Sequence, residues 1–144
     1  MFADNEALLR YWIEEVWNKK RPEVIDELFA PHCKAHGMGP DGTDRTGPEG
    51  FKSAYATFCG AFPDLQITLA PVVANGDLVA GHLLCTGTHQ GEHLGVPATH
   101  QPITFTAMTI ARIENGKIVE GWNCIDLLSI FQQVGAMSPA ESLP

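Results

Sequence analysis

An aspartate near the end of the chain is the residue best suited to acid–base chemistry. Asp126 directly follows a strand-like segment, 117–125. Because side chains alternate between the two faces of a strand, Trp122, Cys124 and Asp126 share one face. If that face lines an apolar cavity, loss of hydration raises the carboxyl pKa and makes Asp126 a general base near neutral pH. The alternative is equally open: Asp126 caps a following helix at 127–134.

Six histidines offer further chemistry, and two of them have the spacing of a metal-binding pair. His32 and His36 would meet at one ion on a helix, but Pro31 favours a strand, where four residues span about 13 Å. Two imidazoles at that distance cannot share a metal ion. His36 is then either a structural histidine or a polar group on the sheet.

A second set of polar side chains lies in the Gly- and Pro-rich segment 87–101 and could bind a zinc ion together. The set comprises His89, Glu92, His93 and His100. Spacing within a loop places no constraint on geometry, so the signal is weak. We therefore expect no metal site.

The composition indicates one globular domain over residues 1–144, with a loose tail at 136–144. Of 144 residues, 44% are hydrophobic, and the net charge is −8. Nucleic acid and anionic membranes need clustered cations, so we expect neither as a partner. Four cysteines without a C-x-x-C pair, no signal peptide and no long apolar run favour a cytoplasmic protein with free thiols.

The elements that must position these residues follow from periodicity and turn signals. Apolar residues recur at helical spacing in three N-terminal segments, and Asn75-Gly76 and Asn115-Gly116 each predict a hairpin. The order predicts an α+β fold, a cone-shaped barrel of strongly curved antiparallel sheet packed against three N-terminal helices. The expected helices are 4–18, 22–30, 46–62 and 127–134, and the expected strands are 32–38, 65–74, 78–86, 103–113 and 117–126.

Several stretches together resemble the SnoaL-like polyketide cyclase (ester cyclase) family of the nuclear transport factor 2-like superfamily. The resemblance covers residues 5–135, and its most specific part is GTHQGEHLGVPAT at 87–99. The other matching stretches are LRYWIEEVWN at 9–18, LFAP at 28–31 with His36, RIENGKIVE at 112–120 with Trp122 and Asp126, and FQQVG at 131–135.

The resemblance implies the cone-shaped barrel and a cofactor-free aldol ring closure on a small hydrophobic polycarbonyl or aromatic polyketide. An aspartate at the Asp126 position would take a proton from a carbon flanked by carbonyls. Strand parity suggests His36 and His82 as groups that polarise carbonyls or relay the proton. The residues that we expect to bind substrate are Trp12, Phe51, Phe62, Met108 and Trp122. The sequence departs from the family pattern at His82 and His100.

Other functions remain open. The cavity could store a hydrophobic ligand or serve a dimerisation module without catalysis, or Asp126 with His36 could act as a dehydratase or isomerase. Epoxide hydrolysis is disfavoured, because His82 and Leu84 stand where Arg and Asp would be needed. The strand at 78–85 is apolar on both faces, which favours a homodimer or homotetramer.

Overall fold

The computed structural model describes residues 2–137 and has the predicted α+β architecture. The predicted loose tail falls mostly on 138–144, which lie outside the described residues. The helices are α1 (Asn5–Trp12), a π-helical segment (Ile13–Asn18), α2 (Glu23–Leu28), α3 (Gly47–Ala61) and α4 (Leu127–Gln133). The strands are β1 (Phe29–His36), β2 (Arg45–Thr46), β3 (Gln66–Asn75), β4 (Leu78–Thr88), β5 (Pro102–Glu114) and β6 (Lys117–Ile125).

The six strands form one open sheet in the order β2-β1-β6-β5-β4-β3. β1 and β6 run parallel, and the other neighbours are antiparallel. The fold class is confirmed, but the sheet is mixed rather than wholly antiparallel. A parallel pair needs a long crossover, and most of the chain lies between these two strands.

Both predicted hairpins form, although their turns differ in register. Asn115 and Gly116 have φ of 52° and 72°, as a two-residue turn between antiparallel strands requires. In the first hairpin Asn75 still pairs with Leu78, so the turn residues are Gly76 and Asp77. Gly76 alone has positive φ there, and the turn lies one residue later than the Asn-Gly pair predicted.

The first helix does not stay an α-helix over its predicted length. Asp4 caps it by accepting a hydrogen bond from the Ala7 N–H at 2.8 Å, and from Ile13 the helix widens into a π-helix. At its end Asn18 holds the edge strand β3. Its Oδ1 accepts from the Ile67 N–H at 2.7 Å and its Nδ2 donates to the Ile67 carbonyl at 2.9 Å. Side-chain amides therefore satisfy part of an otherwise free sheet edge.

The second helix ends earlier than the sequence indicates. The sequence predicts a helix over 22–30, but α2 stops at Leu28 and β1 begins at Phe29. The register of β1 on β6 is irregular between Phe29 and Lys34. Pro31 lies in that irregular stretch, where a residue without an N–H is tolerated.

Candidate functional site

A cavity lies between the N-terminal helices and the inner face of the sheet. The space inside it is about 70 Å³. Small-molecule sites are concave and mostly apolar, and this apolar lining makes the cavity a candidate ligand site. The helices and the segment after β1 contribute Leu9, Trp12, Ile13, Trp17, Met38, Phe51 and Phe58, and the sheet side contributes Leu65, Ile67, Leu83, Cys85, Phe105, Ala107, Thr109, Asn123 and Ile125.

Aromatic rings form the helical side of the cavity. The centroid of Phe51 lies 5.2 Å from the Trp12 ring and 6.0 Å from the Trp17 ring, both in edge-to-face contact. Trp12 and Phe51, which the sequence analysis expects to bind substrate, both line the cavity wall. Phe62 is fully buried but packs against His89 and Phe105, outside the wall. Such rings offer flat apolar surface to a planar ligand.

One hydrogen-bonded pair supplies the polar groups on the sheet side. The Thr109 hydroxyl donates to Asn123 Oδ1 at 3.0 Å. Asn123 Nδ2 donates to the His36 carbonyl at 3.1 Å, so one of its two N–H bonds is engaged. An amide nitrogen has two N–H donors, and the second is available to a ligand oxygen. The pair was not predicted from the sequence.

The described residues of the wall include no Asp, Glu, His, Lys or Arg. The one thiol there, Cys85, is buried, and burial raises its pKa to about 12. A thiol with that pKa is protonated at neutral pH and is a poor nucleophile. The wall can therefore orient and confine a ligand through neutral hydrogen bonds and apolar contact.

The face that carries Trp122, Cys124 and Asp126 is the outer face of the sheet, so the apolar cavity that would raise the pKa of Asp126 does not lie on that face. Cys124 and Asp126 are exposed, while Asn123 and Ile125 line the cavity. Asp126 caps α4 by accepting a hydrogen bond from the Ser129 N–H at 3.1 Å. The helix-cap interpretation thus describes its place in the fold.

A β-bulge explains the reversal. Arg112 of β5 pairs with Glu120, but the next residue, Ile113, pairs with Ile118, so Val119 is an extra residue in β6. One inserted residue moves every later side chain to the opposite face. Ile118 is buried, and even-numbered residues after it would be inside without the bulge.

Two more residues predicted for the site, His82 and Met108, also lie on the outer face. His82, Met108 and Asp126 do come together, in a shallow groove that Cys124 and Leu128 also line. Met108 is 59% exposed. These three predicted residues therefore share a surface outside the cavity.

His36 lies at the outer face as well, in a polar cluster. Its Nε2 is 2.7 Å from Glu120 Oε2, and its Nδ1 is 3.2 Å from Asp44 Oδ2. Its ring stacks on Trp122 with centroids 5.7 Å apart. The hydrogen bond to Glu120, supported by Asp44, raises the pKa of His36 above its usual value of 6.5.

The histidines of the 87–101 segment are not assembled around one point. His89 is fully buried and its Nδ1 accepts a hydrogen bond from the Thr99 N–H at 3.2 Å, while His93 and His100 are exposed. Within residues 2–137, no three His, Cys, Asp or Glu side chains are grouped so that they could hold a metal ion. No helix in this part of the chain is long and apolar enough to cross a membrane.

The chain is similar to known proteins over most of its length. A family model described as SnoaL-like polyketide cyclase matches residues 7–134. The aklanonic acid methyl ester cyclase DauD of Streptomyces sp. (strain C5) is 25% identical over 126 residues, which cover 87% of this chain and 78% of DauD.

Solved structures share the fold. IdmH of Streptomyces antibioticus, a candidate polyketide cyclase, superposes with a TM-score of 0.77 at 32% identity, covering 90% of this chain and 97% of IdmH. AclR of Streptomyces galilaeus, a candidate hydroxylase, superposes with a TM-score of 0.82 at 26% identity, covering 95% and 99%. The same fold thus carries proteins assigned to different chemistries.

Proposed function

The chain belongs to the SnoaL-like polyketide cyclase family, and from this premise we propose that it binds a small, apolar polycarbonyl molecule in the inner cavity and promotes its intramolecular ring closure. The observation that carries the proposal is the contrast within the wall. Aromatic and aliphatic side chains surround a single pair of neutral polar residues, Thr109 and Asn123. A ligand that is apolar except for a carbonyl oxygen complements such a wall.

Two effects would promote ring closure. Confinement holds the flexible chain with its reacting carbons close together, which removes part of the entropic barrier. The free N–H of Asn123 donates to a substrate carbonyl, and this hydrogen bond strengthens as the oxygen gains negative charge in the enolate. The carbon between two carbonyls loses its proton to solvent at the open mouth. The enolate carbon then attacks a ketone of the same molecule, and the new alkoxide takes up a proton.

If Asp126 is instead the general base, Asp126 and not Asn123 should control the rate of ring closure. One experiment separates these two hypotheses. Aklanonic acid methyl ester, the compound named for DauD, is incubated with the wild type, Asn123→Leu and Asp126→Asn, and ring-closed product is followed by chromatography. Our proposal expects Asn123→Leu to lose about 100-fold or more in rate, the loss typical of removing one oxyanion-stabilising donor, while Asp126→Asn keeps its rate. Loss of rate only in Asp126→Asn would overturn our proposal and support Asp126 as the base.

Binding is tested with a matched pair of probes. Both 2-acetylnaphthalene and 2-ethylnaphthalene are planar and apolar, and only the first carries a carbonyl. Titration calorimetry should give the ketone about fivefold tighter binding in the wild type, the value of one net hydrogen bond. Asn123→Leu should bind both probes equally. Equal affinity in the wild type would reject the carbonyl site.

A second candidate function is binding without catalysis. It is favoured by the absence of ionisable side chains other than Cys85 among the described residues of the wall. A storage or sensing protein needs no base, whereas an enzyme of this kind usually has one. Carbonyl-selective binding that depends on Asn123, without ring closure of any polycarbonyl compound offered, would favour this function.

We also propose that the chain forms a homodimer or homotetramer in a reducing, cytoplasmic compartment. The outer face of the sheet exposes Leu84, Met108 and Ile110 at 40%, 59% and 41%. An apolar patch of this kind on a sheet favours self-association. All four cysteines are free thiols, which supports a reducing compartment. Sedimentation of the full chain as a monomer at micromolar concentration would reject the oligomer.

A further inference from the structure

His36, the last residue of β1, makes contacts on both faces of the sheet. Its side chain makes those on one face, and its backbone carbonyl makes the contact on the other. Its imidazole lies outside, between the carboxylates of Glu120 and Asp44. Its carbonyl oxygen accepts the hydrogen bond from Asn123 Nδ2 at 3.1 Å. A single residue therefore links an ionisable cluster to the polar pair of the cavity.

The two residues after His36 strengthen this link. The Gly37 N–H donates to Asp44 Oδ1 at 3.1 Å, so the same carboxylate holds the ring of His36 and the turn that follows it. Gly37 has φ of 68°, and a side chain there would collide with the carbonyl of Asn123. Met38 is in the cavity wall. The cluster thus fixes a short segment, 36–38, that forms one end of the cavity.

We propose that His36 is a positioning residue for the cavity: its charged ring, clamped between Glu120 and Asp44, holds the 36–38 segment so that Asn123 presents its free N–H to a bound carbonyl. This inference rests on the proposed function, because it concerns the same amide. An imidazolium donates from both ring nitrogens, whereas a neutral imidazole has one N–H. Deprotonation therefore breaks one side of the clamp.

The charges around His36 come from four elements. Glu120 on β6 and Asp44 before β2 touch its ring. Lys34, two residues earlier on β1, acts on Asp44. From β5, Arg112 lies 5.8 Å above the Trp122 ring on which His36 stacks, and it pairs with Asp77 at 2.8 Å.

The directions of the pKa shifts of His36 and Asp44 define the pH range over which the ring of His36 is held between Glu120 and Asp44. The hydrogen bond to Glu120 is the main reason that the pKa of His36 is raised above 6.5. Hydrogen bonds from Gly37 and His36 hold the pKa of Asp44 below 3.8. The clamp is complete at mildly acidic pH, below about pH 6.5, and it is lost as the pH rises through the raised pKa of His36.

Nuclear magnetic resonance of the full-length protein tests the coupling directly. The His36 ring and the Asn123 side-chain amide are followed from about pH 5 to about pH 9, the range that brackets a histidine titration. We expect the Asn123 amide signals to shift with the midpoint of His36. In His36→Gln they should not move with pH, and in His32→Gln, a matched change at an exposed position of the same strand, they should move as in the wild type. Constant Asn123 signals while His36 titrates would overturn the proposal.

The naphthalene probes give a functional readout of the same link. In the wild type the roughly fivefold preference for the ketone, the value of one net hydrogen bond, should fall toward equality as the pH rises through the His36 titration. His36→Gln should make the preference independent of pH. A preference that stays constant across the titration in the wild type would contradict the positioning role. If neither probe binds at any pH, the proposed function fails, and the amide titration still decides the role of His36.

Discussion

The inner and outer faces of the sheet carry different kinds of side chain, although the same strands supply both. The inner face offers Phe105, Ala107, Thr109, Asn123 and Ile125 to the cavity. Asp126, His82 and the His36 cluster lie outside. Histidine and carboxylate side chains therefore lie on the outer face, while the polar groups of the cavity wall are neutral. Residue type alone does not locate a site, because the face decides what a side chain can reach.

The largest expected effect contrasts truncations on the two faces. Phe51→Ala removes a buried ring that packs on Trp12 and Trp17. We expect a loss of about 3–5 kcal/mol in the free energy of unfolding, measured by urea titration. Met108→Ala, the matched outer-face change, should cost within about 0.5 kcal/mol in a monomer. A larger cost at Met108 would show that the outer face is covered in solution.

A second prediction separates the two roles considered for Asp126. Asp126→Ala removes the α4 cap and should lower the free energy of unfolding by about 1 kcal/mol. Asp126→Asn keeps a good capping residue, so its stability should stay near that of the wild type. Thermal or urea unfolding measures both variants. If the two variants are equally destabilised, the cap hydrogen bond does not explain the contribution of Asp126 to stability.

A smaller effect is expected within the polar pair of the cavity. Thr109→Val keeps the shape of the side chain but removes the hydroxyl that donates to Asn123. We expect a loss of about 0.5–1 kcal/mol in stability, since a partly buried acceptor loses its partner. The matched control is Thr106→Val on the outer face of the same strand, which should have no comparable effect. An equal loss of stability at both positions would mean that the hydrogen bond between Thr109 and Asn123 does not stabilise the fold.

The smallest effect is a pH-dependent difference in stability at His36. Because its pKa is raised in the folded protein, the charged ring stabilises the fold fully below about pH 6.5. That contribution is lost as the pH rises through the raised pKa. The melting temperature of the wild type should therefore exceed that of His36→Gln at mildly acidic pH, and the difference should shrink at alkaline pH. A difference that grows with pH would reverse the assigned sign.

The sequence predicted the elements well where local chemistry decides them. Both hairpins follow from residues that favour positive φ, and Asp4 caps the first helix as expected. The resemblance to the SnoaL-like family is confirmed by the family model. The π-helical segment and the parallel pairing of β1 on β6 depend on tertiary contacts. One such contact is the hydrogen bond between the Asn18 side chain, at the end of the π-helical segment, and the backbone of Ile67.

The polar pair of the cavity could not be found by simple alternation. Ile118 is buried, and counting by twos from it puts Trp122 inside. The extra residue at Val119 moves Asn123 inside instead. A signal was available in β5, where Ile103, Phe105 and Ala107 alternate with Thr104 and Thr106. Pairing β6 against that strand before assigning faces would have led to Asn123.

We expect an apolar carbonyl compound to bind to the inner face of the sheet and not to the outer groove. The most direct test is to measure nuclear Overhauser effects between bound 2-acetylnaphthalene and methyl groups of the full-length protein. We predict contacts to Leu9, Ile67 and Leu83, which line the cavity. Contacts confined to Met108 and Leu128, in the groove beside His82 and Asp126, would contradict the claim.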